Sequence, residues 1–361
     1  MSTFVNKPAL KKRALIAMSG GVDSAAAAIL MREAGYECIG VTMKLIADGG
    51  SKCCSLEDIN DARAAAWKLE IPHYVLNSTA DFTRHVIEPF IESYQKGETP
   101  NPCIECNRYL KFYFLLRRAA ELEAEILATG HYAQTEKSGD RWLLKKGADA
   151  RKDQSYVLYM MSQQALSGTV FPLGKLTKAE VRELAAAGGL VNARKEESQD
   201  ICFAADGDYA AFIERYTGKP SPEGDITDID GRILGRHRGL IRYTLGQRRG
   251  TGVACNVPVY VAAKNAASNT LVVGEEASLY SKSFTACRIN LIACDNLFKP
   301  ERLKVKVRYL QKEQWALVEQ TGDDSIRVVF EEPQRAVSPG QAAVFYDGDV
   351  VVGGGTIGEK E

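Results

Sequence analysis

Apolar and polar positions change rhythm along this chain, and the changes divide it. From Arg13 to about Thr129, short apolar runs alternate with longer stretches whose apolar residues recur every three or four positions. Ala14 to Met18, Tyr36 to Met43 and His73 to Leu76 read as strands, and Leu56 to Leu69 as a helix with Ile59, Ala62, Ala66 and Leu69 on one face. Thr79 to Tyr94 and Asn107 to Leu122 have helical spacing, while Ala124 to Ala128 is a strand ending at Thr129-Gly130-His131-Tyr132. Alternating strands and helices predict a parallel sheet covered on both faces, with ligands at the carboxyl ends of the strands. Beyond it, a helix is expected from Tyr156 to about Met161, and Thr177 with Glu180 forms a capping box for a helix that stops at Gly188-Gly189.

The pattern changes again near Tyr216 to Gly231, where Gly, Pro, Asp and Ser mark a linker. Val257 to Ala263 and Thr270 to Gly274 read as a hairpin. The final stretch, from about residue 277, reads as all-β. Leu303 to Leu310 alternates strictly and places Lys304, Lys306 and Arg308 on one face, and Asp347-Gly348 makes a tight turn between two apolar runs. A small barrel with a partly basic face fits.

Composition narrows the class. A chain of 361 residues is too long for one ordinary core, and 45% hydrophobic with 25% charged residues is a globular balance. Lys and Arg equal Asp and Glu at 46 each, so no global field draws the protein to a polyanion. Local clustering must do so, and Arg236 to Arg249 holds five arginines with no acidic residue. That run suggests phosphate-backbone contact, with a solvated basic face as the alternative. Lys7, Lys11, Lys12 and Arg13 precede an apolar run too short for a signal peptide, and no stretch approaches a membrane span. Nine unevenly spaced cysteines are no secreted disulfide framework in so long a chain, so a cytoplasmic setting is expected.

The chemistry concentrates in a few short stretches. Ser19-Gly20-Gly21-Val22-Asp23-Ser24 joins the first strand to an Ala-rich helix, a layout in which backbone N–H groups and a helix N-terminus converge on an anion. The two glycines allow close approach, and Ser19 and Ser24 add hydroxyl donors. A Walker A lysine is missing; the nearest spacing match, Gly35 to Thr42, has Val41 in its place. SGGVDS instead resembles the PP-loop of the ATP pyrophosphatases, which split ATP between its α and β phosphates and activate a substrate as its adenylate.

Cys38, inside a strand, reads as a core residue, whereas Cys53 and Cys54 lie before a helix where they could be reactive or bind metal. In Thr99 to Asn107, TPNPCIECN, two prolines stiffen a loop that presents Cys103 and Cys106 at a helix start. A thiol there is favoured as thiolate, and Arg108 and Lys111 push the same way. The competing reading is half a zinc site. Cys202 follows in SQDICF.

SGGVDS, TPNPCIECN, ATGHYA, KDQSY, SQDICF and YTLGQRRG stand in the order and spacing of the bacterial tRNA-specific 2-thiouridylases, which this chain resembles over essentially its whole length. The resemblance implies an α/β PP-loop domain with a parallel sheet over residues 1–215, a small central domain over 216–276 and a C-terminal β-barrel over 277–361. It implies ATP-dependent replacement of O2 by sulfur at the wobble uridine of tRNA. ATP would bind at Ala17, Met18, Ser19, Gly20, Gly21, Val22, Asp23, Ser24, Met43 and Gly130, with Mg²⁺ neutralising the phosphates. Cys106 matches the nucleophile and Cys202 the persulfide carrier. Asn101, Pro102 and Cys103 match the segment around the target base, and His131, Lys152, Asp153, Gln154, Arg308, Tyr309 and Gln341 match positions that touch tRNA. Many members have aspartate where this chain has Cys103, and Cys103, Cys106 and Cys202 together could instead hold an iron–sulfur cluster. A sulfur-relay protein or cysteine desulfurase is the expected partner, with no membrane. A PP-loop synthetase acting on a small molecule, and a noncatalytic RNA-binding protein, are the other classes considered; neither uses both the loop and the thiols.

Overall fold

The computed structural model describes residues 12–46, 56–190, 201–204 and 207–360. The basic tail to Lys11, Cys53, Cys54 and Ser198 to Asp200 lie outside the described residues. Strands β1 (Arg13–Ala17), β2 (Glu37–Lys44), β3 (His73–Asn77) and β4 (Ile126–Thr129) form a parallel sheet. Along β1, Ala14 and Ile16 face one core with Ala25, Ala28 and Ile29 of helix α1 (Val22–Glu33) and Ala62 and Ala66 of α2 (Leu56–Lys68). Leu15 faces a second core with Phe112, Leu115 and Leu127. A strand buried on both faces has no polar side, which is why ALIA reads as a continuous run.

After β4 the chain makes a hairpin absent from the sequence reading: β5 (Ala133–Ser138) and β6 (Arg141–Lys146). It returns to the parallel sheet at β7 (Thr169–Val170), giving the order β3-β2-β1-β4-β7. The expected helix before Met161 is a single 3-10 turn, Ser155–Val157. Asp153 explains the change, because its carboxylate accepts from the Ser155 N–H and hydroxyl and from Gly147 N–H, holding a turn in place of a helix start. The Thr177 capping box is present, with the helix Lys178–Ala187 behind it.

The central part has β8 (Gly224–Thr227), β9 (Ile233–His237), β10 (Tyr260–Asn265) and β11 (Thr270–Gly274) in the order β10-β11-β8-β9. The linker expected at Tyr216 to Gly231 thus contains a strand, β8, paired in parallel with β11 around buried Ile226. The remaining strands are β12 (Tyr280–Leu291), β13 (Glu301–Lys306), β14 (Gln314–Gly322), β15 (Ser325–Arg335), β16 (Ala342–Asp347) and β17 (Val350–Lys360). Their order, β12-β15-β14-β13-β16-β17, closes through a β12–β17 pairing into a six-stranded barrel filled by Phe284, Val305, Val328, Phe330 and Phe345.

The hairpin β5–β6 then joins this barrel, since Leu144 and Lys145 pair with Val351 and Val350 of β17. Leu144, Val351, Tyr346 and Ala342 consequently share the core that covers Leu15. The parallel-sheet part and the barrel therefore share one apolar cluster. Among the described residues, no helix is long and apolar enough to cross a membrane.

Candidate active site

The direction of strand succession reverses between β1 and β4, the neighbours at the middle of the parallel sheet. Such a reversal opens a crevice beyond the carboxyl ends of the two strands. The loop SGGVDS follows β1 and Gly130 follows β4, so both stand at its mouth. Gly20 has φ +81°, and a Cβ there would come within 2.3 Å of the Asp58 carbonyl oxygen; α2 packs against the loop because glycine permits it. A Cβ on Gly130 would lie 2.8 Å from the Ser24 nitrogen, so β4 can abut the start of α1 only without a side chain.

The loop is pinned from within. Ser24 Oγ donates to the Gly21 carbonyl at 3.0 Å and accepts from Ser19 N–H at 3.1 Å. The N-cap of α1 is Gly21, which brings no side-chain oxygen to the first-turn amides. Those amides and the helix dipole are available to an anion. The cleft is lined by Ala17, Met18, Ser19, Asp23 and Ser24, by Met43 and Leu45 from β2 and the residue after it, and by Lys111, Thr129, His131 and Gln154. An apolar wall beside an anion loop suits a nucleotide's base and phosphates. Gly20, Gly21 and Val22 form the turn itself.

Asp23 holds two groups that sequence reasoning missed. Its Oδ1 accepts from Lys178 Nζ at 2.7 Å and from Tyr132 Oη at 2.8 Å. Lys178 is buried and begins a helix, where a cation opposes the dipole. That misplacement was the available signal. Asp149 accepts from the Lys178 backbone N–H and closes the arrangement. Among the described residues Asp23 is the one carboxylate lining the cleft, so Mg²⁺ there would rest on Asp23 and on phosphate oxygens, a donor set that this ion commonly accepts.

The cysteines are placed differently from the loop expected for them. Asn101 caps a helix by accepting from Cys103 N–H at 3.1 Å, and Pro102 occupies its first position. The helix runs Pro102–Glu105, continues as a π-helix Cys106–Phe114 and ends as Leu115–Glu121. Cys103 is exposed on the first turn. Cys106 is buried in an apolar cluster with Phe82, Phe90 and Leu110, and half-buried Cys202 packs against the same cluster. Exposed Cys103 stands apart from that cluster, and among the described residues no three His, Cys, Asp or Glu side chains gather as a metal site. The iron–sulfur arrangement is therefore set aside. Cys38 is a core residue, its thiol pushed up to about 11 by burial.

Several residues matched to tRNA contact are tied into the protein. Gln154 Oε1 accepts from Tyr132 N–H, and Gln341 Nε2 donates to the Thr99 carbonyl. Arg308 donates through Nη2 to the Leu245 and Ala336 carbonyls and to Ser338 Oγ, joining the central sheet to the barrel. Lys304 reaches Glu313 and Lys306 Nζ lies 5.8 and 5.6 Å from the Tyr156 and Tyr309 ring centroids, so the basic stripe of β13 faces other side chains and not open solvent alone. Asn101 and Pro102 line a separate crevice with Tyr159, Arg288 and Thr356. Lys152 is half-buried in the turn before Asp153. In the arginine run, Arg236 meets Asp225 and Arg242 meets Glu214, while Arg248 and Arg249 are exposed. Two of the five charges are thus offset by acidic residues distant in sequence.

Family models match three consecutive stretches: a tRNA methyl transferase HUP domain at residues 12–206, a tRNA methyl transferase PRC-barrel domain at 210–275 and an aminomethyltransferase β-barrel domain at 281–357. The tRNA-specific 2-thiouridylase of Symbiobacterium thermophilum is 48% identical, covering 96% of this chain and 92% of its own. Those of Acetivibrio thermocellus and Clostridioides difficile are 48% and 44% identical, each covering 96% of this chain and 99% and 98% of their own. Among solved structures, an NMN synthetase from Francisella tularensis aligns over 59% of this chain and 80% of its own, at 20% identity and a TM-score of 0.35. A 4-thiouridine synthetase in an RNA complex with bound ATP aligns over 56% of this chain and 50% of its own, at 17% identity and a TM-score of 0.37. Nearly half of all positions agree along nearly the full length of both partners in each of the three sequence comparisons, and so this chain belongs to the tRNA-specific 2-thiouridylase family.

Proposed function

We propose that the protein replaces O2 of a tRNA wobble uridine by sulfur, using ATP. The carbonyl oxygen is a poor leaving group until it attacks the α-phosphorus of ATP. That attack expels pyrophosphate and leaves the oxygen as an AMP ester. The terminal sulfur of a Cys202 persulfide then attacks C2, and AMP departs with the bonding pair of the C–O bond. The Cys106 thiolate next attacks the Cys202 sulfur, so that 2-thiouridine leaves and a Cys106–Cys202 disulfide remains; reduction by an external thiol resets the pair. In the variant order, Cys106 attacks the persulfide first and hydrosulfide is the sulfur that reaches C2.

The single observation that carries this reading is the helical stretch 102–121. Its Lys111 and Leu115 line the same cleft as the SGGVDS loop, and its Cys106 shares an apolar cluster with Cys202. Anion loop and thiols are thereby coupled through one rigid element. Mg²⁺ would supply charge neutralisation on the phosphates. The persulfide sulfur must come from a cysteine desulfurase or a relay protein that takes sulfur from one. Release of AMP from ATP that requires tRNA is the test; AMP formed at the same rate without tRNA, or none with it, would overturn the reading.

A further inference from the structure

Among the residues that line the cleft with the glycine loop, Lys111 Nζ lies 3.4 Å from His131 Nε2, and His131 Nδ1 lies 2.8 Å from Thr129 Oγ1. An ammonium has donors only, so Nε2 must accept, and the ring proton sits on Nδ1 and is donated to Thr129. The ring is also fixed sterically, being buried against both Phe112 and Phe171 with centroids at 5.7 and 6.0 Å. Burial first, and the Lys111 charge second, hold its pKa well below the usual histidine value, which keeps the acceptor neutral. His131 is thus an immobile acceptor that aims the ammonium.

Lys111 itself is half-buried, and among the described residues no carboxylate pairs with it. A cation that lines the same cleft as an anion loop and has no acidic partner is matched by a negatively charged ligand in that cleft. It lies five positions after Cys106 in a π-helix, whose i to i+5 hydrogen bonds set the two one turn apart. A ligand group that meets Lys111 is therefore next to the helical stretch that carries Cys106. In a nucleotide whose terminal phosphates occupy the loop, that group is the phosphate attached to the ribose.

We propose that Lys111, aimed by His131, is the binding group for the α-phosphate, making this wall a nucleoside monophosphate site. This rests on the nucleotide reading of the cleft and extends it to residues outside the loop. Lys111 would be the group touching the phosphate, and His131 a positioning residue acting through it.

Equilibrium binding of adenosine and of AMP to the full chain tests this without any turnover. Lys111→Met should weaken AMP roughly 10- to 100-fold, as expected for loss of one charge-assisted hydrogen bond. It should leave adenosine within about twofold. His131→Gln can place an acceptor near the Nε2 position and should retain AMP binding; His131→Asn cannot reach it and should weaken AMP several-fold. Adenosine binding doubles as the check that each variant is folded, and Lys111→Gln replaces Lys111→Met should the latter lose adenosine. Unchanged AMP affinity in a lysine variant that still binds adenosine overturns the proposal while leaving the nucleotide cleft intact. A wild-type protein that binds neither compound overturns both together.

Discussion

Lys178 Nζ stands 2.7 Å from Asp23 Oδ1, tying the helix Lys178–Ala187 to the first turn of α1. The lysine side chain is 11% exposed and the aspartate 28%, so the pair is shielded but not sealed. Lys178→Met should cost about 1–3 kcal/mol, less than the 3–5 kcal/mol typical of breaking a fully buried pair. Asp23→Ala should destabilise similarly, because Lys178 and Tyr132 each lose a hydrogen bond to the carboxylate. Ser19→Ala should instead leave the urea midpoint unchanged and abolish AMP formation, with tRNA affinity within a few-fold. Equal loss of tRNA binding in Ser19→Ala would make the loop structural.

The histidines give a pH dependence whose sign is fixed. Burial lowers the pKa of His131 strongly and that of His73 less, with Arg63 adding to the latter. Below about pH 6.5 the unfolded chain takes up protons that these folded rings refuse. Stability is therefore full above 6.5 and falls as the pH drops from there toward the folded values, by up to about 1.4 kcal/mol per pH unit for each fully shifted ring. Urea midpoints at pH 5.5 and 7.5 measure it, and His131→Gln should flatten the slope. A steeper slope in that variant would assign the acid sensitivity elsewhere.

What the sequence made legible were local devices: the SGGVDS turn, the Thr177 capping box, the Asp347-Gly348 turn and the alternation that closes into the barrel. Each is a signal spanning only a few residues. Hairpin β5–β6 was missed because its register partner, Val351, is more than 200 positions from Leu144, and because AQTEKS is too polar to advertise a strand. The face of β13 was legible but what covers it was not. Alternation says that Lys304, Lys306 and Arg308 share a side; only the fold supplies Glu313, Tyr156 and the Ala336 carbonyl. The Lys178–Asp23 and Lys111–His131 contacts are of the same long-range kind.

That distinction separates two sets of arginines. Arg248 and Arg249 are exposed, so replacing both should weaken tRNA binding and reduce its salt slope by about 1.4 to 1.8 if each touches phosphate. Arg308→Ala should leave the slope alone and lower stability by roughly 1–3 kcal/mol, since the Leu245 carbonyl loses its donor at the joint while the Ala336 carbonyl keeps the Ser338 hydroxyl. Binding isotherms across a salt series, with thermal melts of each variant, check both. An unchanged slope for the double replacement would assign Arg248 and Arg249 to protein contacts.

The thiols give the sharpest division. Cys106 and Cys202 meet the same apolar cluster, whereas Cys103 is exposed on the preceding turn with its N–H bound to Asn101. A relay needs one sulfur to carry the persulfide and one to resolve it, and both must lie on the transfer path. Cys106→Ser and Cys202→Ser should each abolish 2-thiouridine formation, while the pyrophosphate released as tRNA is adenylated still forms, since that step precedes both thiols. Cys103→Ser should retain most of the activity, and Cys103 should be the first of the three to react with an alkylating agent, since it is exposed while Cys106 is buried and Cys202 half-buried. A Cys106–Cys202 disulfide isolated after one turnover would fit the relay. A protein purified without oxygen that is brown, contains iron and labile sulfide and becomes inactive as Cys103→Ser would sink it, because a cluster requires the third thiol and a relay does not.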